Sequence, residues 1–198
     1  TTLVNLLTGM LAPSGGSIFL DGTDITTMAA HRRARVGLVR TFQTPRVFGN
    51  LTVLENLMTG FYRHTASGLP GDMLRLRRSR ADLERMNVEA EAAAERFGLQ
   101  AARLRLAGKL PAGMQRLIEL ARAYVSRPQL LLLDEPSSGL NSSEIEQLRA
   151  ALLRLNAEGI SILLVSHDMD LVTVASRVHV LCFGAIIASG TMQEIKQD

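Results

Sequence analysis

Leu130-Leu131-Leu132-Leu133-Asp134-Glu135-Pro136 is the stretch from which the architecture of this chain is read. Four leucines in a row suit a strand buried on both faces, as inside a parallel sheet, rather than an alternating, half-exposed strand. Pro136 has no N–H for a ladder and stops the strand. Asp134 and Glu135 therefore stand at the strand's C-terminal end, the rim at which open α/β sheets bind ligands. Successive strand side chains point to opposite faces, so the two acids are expected to serve separate tasks. One supports a metal at a bound phosphate and the other orients or activates a water. That division of labour points to nucleotide hydrolysis.

Outward from this strand, helical and extended patterns alternate. Residues 1–11 carry helical apolar spacing at Leu3, Val4, Leu6, Leu7 and Met10, stopped by Ala12-Pro13-Ser14-Gly15-Gly16. A strand is expected over 17–20, closed by Asp21-Gly22, then a short helix over 27–35 and a strand over 36–41. From 51 to about 97 amphipathic helical patterns dominate, broken at Ser67-Gly68-Leu69-Pro70-Gly71, and 84–95 reads as one long Ala- and Glu-rich helix. Further helices are expected at 113–126 and 142–158, with a second buried strand at 160–166 and a helix from His167 through Ala175. A hairpin around Gly184 and a short helix over 191–197 close the chain. The whole reads as an α/β sheet with an all-helical insertion at 51–110.

Composition narrows the function classes. At 198 residues with 46% apolar content the chain suits one medium domain with a smaller lobe. No apolar run approaches the ~18 residues of a membrane span, and Thr1-Thr2-Leu3-Val4 lacks the basic start of a signal peptide. The lone Cys182 fits a reducing compartment and, in an apolar strand pattern, is expected in the core. Net charge is +3, with basic clusters at His31-Arg32-Arg33-Arg35 and at Arg75, Arg77, Arg78 and Arg80. Such clusters suit an anionic surface, but 4% aromatics and no tryptophan leave little for base stacking. Solvated helix faces are the expectation, and no nucleic-acid partner. The opening Thr-Thr, already inside a helical pattern, is expected to continue a longer reading frame.

Other short stretches share the register of the acidic strand. Thr1-Thr2 opens an apolar helix, as a hydroxyl pair does after a phosphate-binding loop. Arg40-Thr41-Phe42-Gln43 precedes the helical insertion, and Leu110-Pro111-Ala112-Gly113-Met114-Gln115-Arg116 opens the helix before the leucine strand. Ser137-Ser138-Gly139-Leu140-Asn141 follows it, and Ser166-His167-Asp168 ends the next strand. Alone, each has a plain rival: a capping threonine, a loop amide, a surface acid, a strand-end histidine. Together and in this order, they make the chain resemble the ATP-binding cassette of ABC transporters along its whole length.

The resemblance implies a P-loop NTPase-like fold: a RecA-like nucleotide-binding core from 1–50 and 111–198, with its N-terminal part missing, and a helical subdomain at 51–110. It implies ATP and Mg²⁺ as ligands. Thr1 corresponds to the Mg²⁺-ligating hydroxyl and Thr2 to its phosphate-contacting neighbour, with the glycine-rich loop and lysine expected upstream. Asp134 corresponds to the metal-supporting aspartate and Glu135 to the catalytic glutamate. His167 corresponds to the switch histidine at the γ-phosphate, and Gln43 to the glutamine that reaches Mg²⁺ and water. Leu110, Ala112, Gly113 and Met114 correspond to the signature motif, and Ser138 and Asn141 to the D-loop, both of which meet the nucleotide of an opposing cassette.

Pro111 and Met114 depart from the family's serine and glutamine, and Asn141 from its aspartate. Proline is acceptable at a first helical position, so backbone amides are left to bind phosphate there. Arg40-Thr41-Phe42-Gln43-Thr44-Pro45-Arg46-Val47-Phe48 and Leu51-Thr52-Val53-Leu54-Glu55-Asn56-Leu57 resemble the subgroup serving branched-chain amino acid importers, close to those for urea and amides. The resemblance further implies a homo- or heterodimeric partner cassette, transmembrane permease subunits, a solute-binding protein and a place on the cytoplasmic face of a membrane. Two alternatives stand beside it: a soluble ATPase of the same type, and a nucleotide-blind partner subunit.

Overall fold

The computed structural model describes residues 2–64 and 77–196, with the side chains of 62–64 and 77–80 left aside. Thr1, the 67–71 break and the side chains of the 75–80 arginine cluster lie outside the described residues. The chain opens with helix α1 (Thr2–Thr8), a ribbon of β1 (Phe19–Leu20) and β2 (Thr23–Asp24), helix α2 (Ala30–Arg35) and strand β3 (Leu38–Arg40). Helices α3 (Val53–Met58), α4 (Arg77–Arg96) and α5 (Ala112–Val125) follow. Strand β4 (Leu130–Asp134), helix α6 (Ser142–Ala157), strand β5 (Ser161–Val165) and helix α7 (Met169–Val172) come next. The hairpin β6 (Val178–Cys182) and β7 (Ala185–Gly190) and helix α8 (Met192–Ile195) close the described chain.

The leucine strand is the axis of the fold. β4 lies between β3 and β5 and pairs parallel with both, Leu131 opposite Val39 on one side and Ile162 on the other. Leu131, Leu132 and Leu133 are at most 1% exposed. Leu131 and Leu133 enter the larger core with Ile118, Leu148, Leu152 and Leu155, whereas Leu132 joins Ile25 and Leu38 on the opposite face. Both faces of β4 are therefore covered, as an unbroken apolar run demands, and each buried leucine stabilises the fold by roughly 1.5–3 kcal/mol.

The helical stretch starts at a capping box: Thr52 accepts from the Glu55 N–H while the Glu55 carboxylate accepts from the Thr52 N–H. Val53, Leu57, Ala90, Ala94 and Leu99 are fully buried and belong to one continuous core with α5 and β4. Asn56, also buried, accepts from the Phe48 N–H at 2.8 Å and donates to the carbonyls of Phe48 and Thr52. This ties the approach to the helices onto the helices themselves.

Several expectations need correction. Arg33 is 2% exposed, not solvated: it donates to the carbonyls of Leu6, Leu7, Thr26 and Met28, all at 2.8 Å. It thus closes the C-terminal end of α1, where a cation suits the helix dipole. Cys182 is exposed rather than buried, and its neighbours Leu181, Phe183, Ile186 and Ile187 are exposed too. Apolar spacing there marked strands without marking what covers them. The strand expected over 17–20 is confined to Phe19–Leu20, while the Asp21-Gly22 turn closes it as expected, with both residues at positive φ, 47° and 73°, as a tight hairpin requires. The helix after His167 ends at Val172, short of Ala175.

Candidate functional site

The C-terminal ends of β3, β4 and β5 form one rim, along which Gln43, Asp134, Glu135 and His167 gather, while Thr2, the 110–114 stretch and Asn141 stand at the starts of separate helices. The Thr41 N–H donates to Leu132 O at 2.9 Å and the Glu135 N–H to Val165 O at 2.8 Å, so the ladder runs to the edge. Asp134, 1% exposed, ends β4 and lies 3.5 Å from Arg40 Nη2. Glu135 has already left the strand, with φ at 50°. The pleat therefore does not separate the two acids, as the alternation rule suggested; a backbone reversal does. Holding a non-glycine residue in this left-handed conformation costs about 1–2 kcal/mol, a strain typical of functional positions.

The reversal aims Glu135 at the end of the next strand. His167 Nδ1 lies 2.6 Å from Glu135 Oε2, with the imidazole 81% exposed and the carboxylate 20%. That oxygen receives no aligned hydrogen bond, so the two side chains meet by close approach alone. The backbone on either side of His167 is fixed. Ser166 Oγ accepts from the Asp168 N–H at 3.0 Å, and Asp168 Oδ1 caps α7 by accepting from Asp170 and Leu171.

Gln43 emerges from the same rim beyond β3. Its side chain is exposed, while its carbonyl accepts from Arg116 Nη2 of α5. Arg116 Nη1 also donates to Phe42 O and to Glu119 Oε2, both at 2.6 Å. The other Glu119 oxygen accepts from the N–H of Phe42 and of Arg46. Burial pushes the guanidinium of Arg116 below its ordinary pKa, opposed by the neighbouring Glu119 carboxylate.

The signature stretch starts α5. Pro111 is its N-cap rather than its first helical residue, and offers no side-chain bond to the free amides that follow. Leu110 is buried, Ala112 exposed, and the Met114 side chain packs on the core, which leaves only its backbone facing the helix end. Gly113 is buried, and a Cβ there would come 2.2 Å from Glu144 Oε1. Glu144 is itself held in a capping box with Asn141, the N-cap of α6. Ser138 is exposed in the turn between, its N–H donating to Glu135 O at 3.2 Å. Thr2 is exposed at the first turn of α1.

Arg40, Arg116, Glu119 and Glu144 were not singled out by the sequence reading. Arg40 reaches Asp134, Asn5 Oδ1 at 2.7 Å and Thr8 Oγ1 at 3.4 Å, so it joins α1 to the acidic rim. A charged residue at the end of a buried strand, and an acid three residues from an arginine in an apolar helix, were the available signals.

Among the described residues no three His, Cys, Asp or Glu side chains gather as a metal cage. A buried carboxylate at an open rim nonetheless fits Mg²⁺, which is held by one or two protein oxygens and otherwise by water and substrate phosphates.

Residues 1–138 match the model of the ABC transporter family. This chain belongs to the ABC transporter family. It is 38% identical, over its whole length and 78% of the relative, to the high-affinity branched-chain amino acid transport ATP-binding protein BraF of Pseudomonas aeruginosa. Its fold resembles the crystal structure of a nucleotide-free ATP-binding cassette from an ABC transporter, with a TM-score of 0.82 at 32% identity, covering 99% of this chain and 78% of the other. It also resembles the ADP conformation of the cassette MJ1267, with a TM-score of 0.81 at 30% identity, covering 98% and 76%. The fold is thus that of the ABC ATPases, an α/β P-loop NTPase architecture with a parallel sheet, and the chain is an ABC-type ATPase subunit. Among the described residues of this ABC cassette no helix is long and apolar enough to cross a membrane.

Proposed function

We propose that this chain binds and hydrolyses ATP on behalf of an importer of branched-chain amino acids, driving transport through separate membrane subunits. The observation that carries the proposal is the contact of His167 with Glu135 beside buried Asp134, on one sheet rim. Phosphoryl transfer asks for a positioned water and neutralised phosphate charge more than for a covalent nucleophile. Glu135 orients the water and takes its proton; His167, exposed and next to it, holds the γ-phosphate side of the site. Asp134 supports Mg²⁺ together with Thr1 and Gln43, and Thr2 contacts phosphate. Bound there, Mg²⁺ would supply neutralisation of phosphate charge.

Leu110, Ala112, Gly113 and Met114 offer backbone amides at the start of α5, and Ser138 and Asn141 lie on the D-loop; both stretches serve the nucleotide of a second cassette. Without a hydroxyl at Pro111, that contact rests on the amides and the helix dipole. The helical lobe, 51–110, and the Gln43 loop receive the permease subunits at the cytoplasmic face of the membrane, and a solute-binding protein supplies the solute. The name of the BraF relative supports branched-chain amino acids over urea or amides.

The test is uptake by the complete transporter in proteoliposomes loaded with ATP. Labelled leucine, isoleucine and valine should accumulate, with urea and acetamide left outside. Uptake of urea or amide in preference to leucine would reassign the solute while leaving the ATPase site intact.

A further inference from the structure

Helix α5 carries three charged side chains along one stripe, Arg116, Glu119 and Arg122, at successive spacings of three. All three reach the same segment of chain. Arg116 donates to the carbonyls of Phe42 and Gln43; Glu119 accepts from the N–H of Phe42 at 3.2 Å and of Arg46 at 3.4 Å; Arg122 donates to Arg46 O at 2.6 Å. Arg116 and Glu119 are also paired with each other and are only 1% and 2% exposed. A buried ion pair of this kind gives little net stability by itself, because desolvation offsets most of the attraction. What it does fix is geometry: five hydrogen bonds hold the backbone on both sides of Gln43 while its side chain stays free.

The same helix begins with the signature stretch. Gly113 lies one turn before Arg116, with the Glu144 side chain close beside it. A rigid displacement of α5 therefore moves two things together, the amides at its N-terminus and the loop that carries Gln43.

We infer that Arg116 and Glu119 are positioning residues for Gln43, a clamp through which α5 sets where that glutamine stands on the rim and passes its own movement to it. The inference rests on the role proposed above for Gln43. Neither side chain meets nucleotide; both act through the loop backbone. Arginine is required at 116 because its planar fork serves Phe42 O, Gln43 O and Glu119 at once, which a single ammonium cannot do.

The experiment uses the complete transporter with Arg116→Lys, Glu119→Gln, Gln43→Ala and the double change Arg116→Lys/Gln43→Ala. Glu119→Gln preserves size and Arg116→Lys keeps the charge opposite Glu119, and the melting temperature of each variant checks that the fold survives. Hydrogen exchange of peptides spanning 41–47 should quicken about tenfold in each clamp variant, the scale of one charge-assisted hydrogen bond, while α5 stays protected. ATPase kcat should fall by about the same factor with KM for ATP held within about twofold, and Arg116→Lys should add no further loss on top of Gln43→Ala. Unchanged exchange in the loop, or kcat losses that multiply in the double variant, overturns the inference. A normal kcat in Gln43→Ala alone would instead remove Gln43 from the chemistry, and the exchange rates would still decide whether the clamp holds the loop.

Discussion

Glu135 and Arg33 show at single-residue scale where local rules stop being sufficient. The sequence placed Glu135 at a strand end; it did not reveal that the backbone would turn left-handed there, at φ 50°, to bring the carboxylate against His167. Strand alternation predicts separation by pleat, and the actual separation comes from the turn that Pro136 and the buried Ser137 enclose. Arg33 is the more complete miss, because in an arginine-rich stretch nothing distinguishes the buried guanidinium from its solvated neighbours. Only the fold, which aims the carbonyls of Leu6, Leu7, Thr26 and Met28 at one point, selects it. Arg33→Met should therefore destabilise the chain strongly. It removes four hydrogen bonds to part-buried carbonyls, of which, among the described residues, only Leu6 O keeps another donor, the Gly9 N–H, so a loss of about 3 kcal/mol is expected, or a melting temperature lower by roughly 6–12 °C in a calorimetric scan. Arg32→Met, on an exposed side chain of the same helix, should move it by no more than about 1–2 °C. Equal shifts in the two variants would mean that the Arg33 bonds contribute nothing.

At the scale of elements, caps and close approaches do most of the positioning. The start of α6 and the start of α5 are locked together: Asn141 and Glu144 close a capping box, and the Glu144 side chain fills the space beside Gly113. The glycine was legible as a motif residue, but its steric partner 31 positions along the chain was not, since no local pattern links the two helices. Gly113→Ala should force Glu144 out of its box and cost roughly 1–2 kcal/mol, the usual cost of a lost cap. In the double variant Gly113→Ala/Glu144→Ala the clash is gone. Its stability in urea titration should match Glu144→Ala alone to within about 0.5 kcal/mol. Strictly additive losses would show that the two helix starts are independent. Element boundaries inside the sheet were read well, because burial on both faces of β4 leaves no choice but an unbroken leucine run. The hairpin of β6 and β7 was placed correctly as strands, but Cys182 on it was placed wrongly in the core; spacing records periodicity, not cover.

Across the whole molecule, the order of motifs carried more than any one of them. Thr-Thr, Gln43, the signature stretch, the acidic strand and His167 are each commonplace, yet one parallel sheet brings Asp134, Glu135 and His167 to a single rim and starts the Gln43 loop beside it. The contacts that tune that rim came from far along the chain: Arg40 to Asp134, and α5 to the Gln43 loop. The helical stretch after residue 51 shares a continuous core with α5 and β4, so movement there has a packed route to the site. Membership of the ABC transporter family supplies the reaction, and the function proposed above gives its water-activating step to Glu135, which stands against His167 on the rim. The measurement that tests this assignment most directly is ATP turnover by Glu135→Gln in the complete cassette, alongside ATP binding by the same protein. Binding should persist while turnover falls at least ~100-fold, the scale of removing a positioned general base; turnover within a few-fold of the parent protein would contradict it.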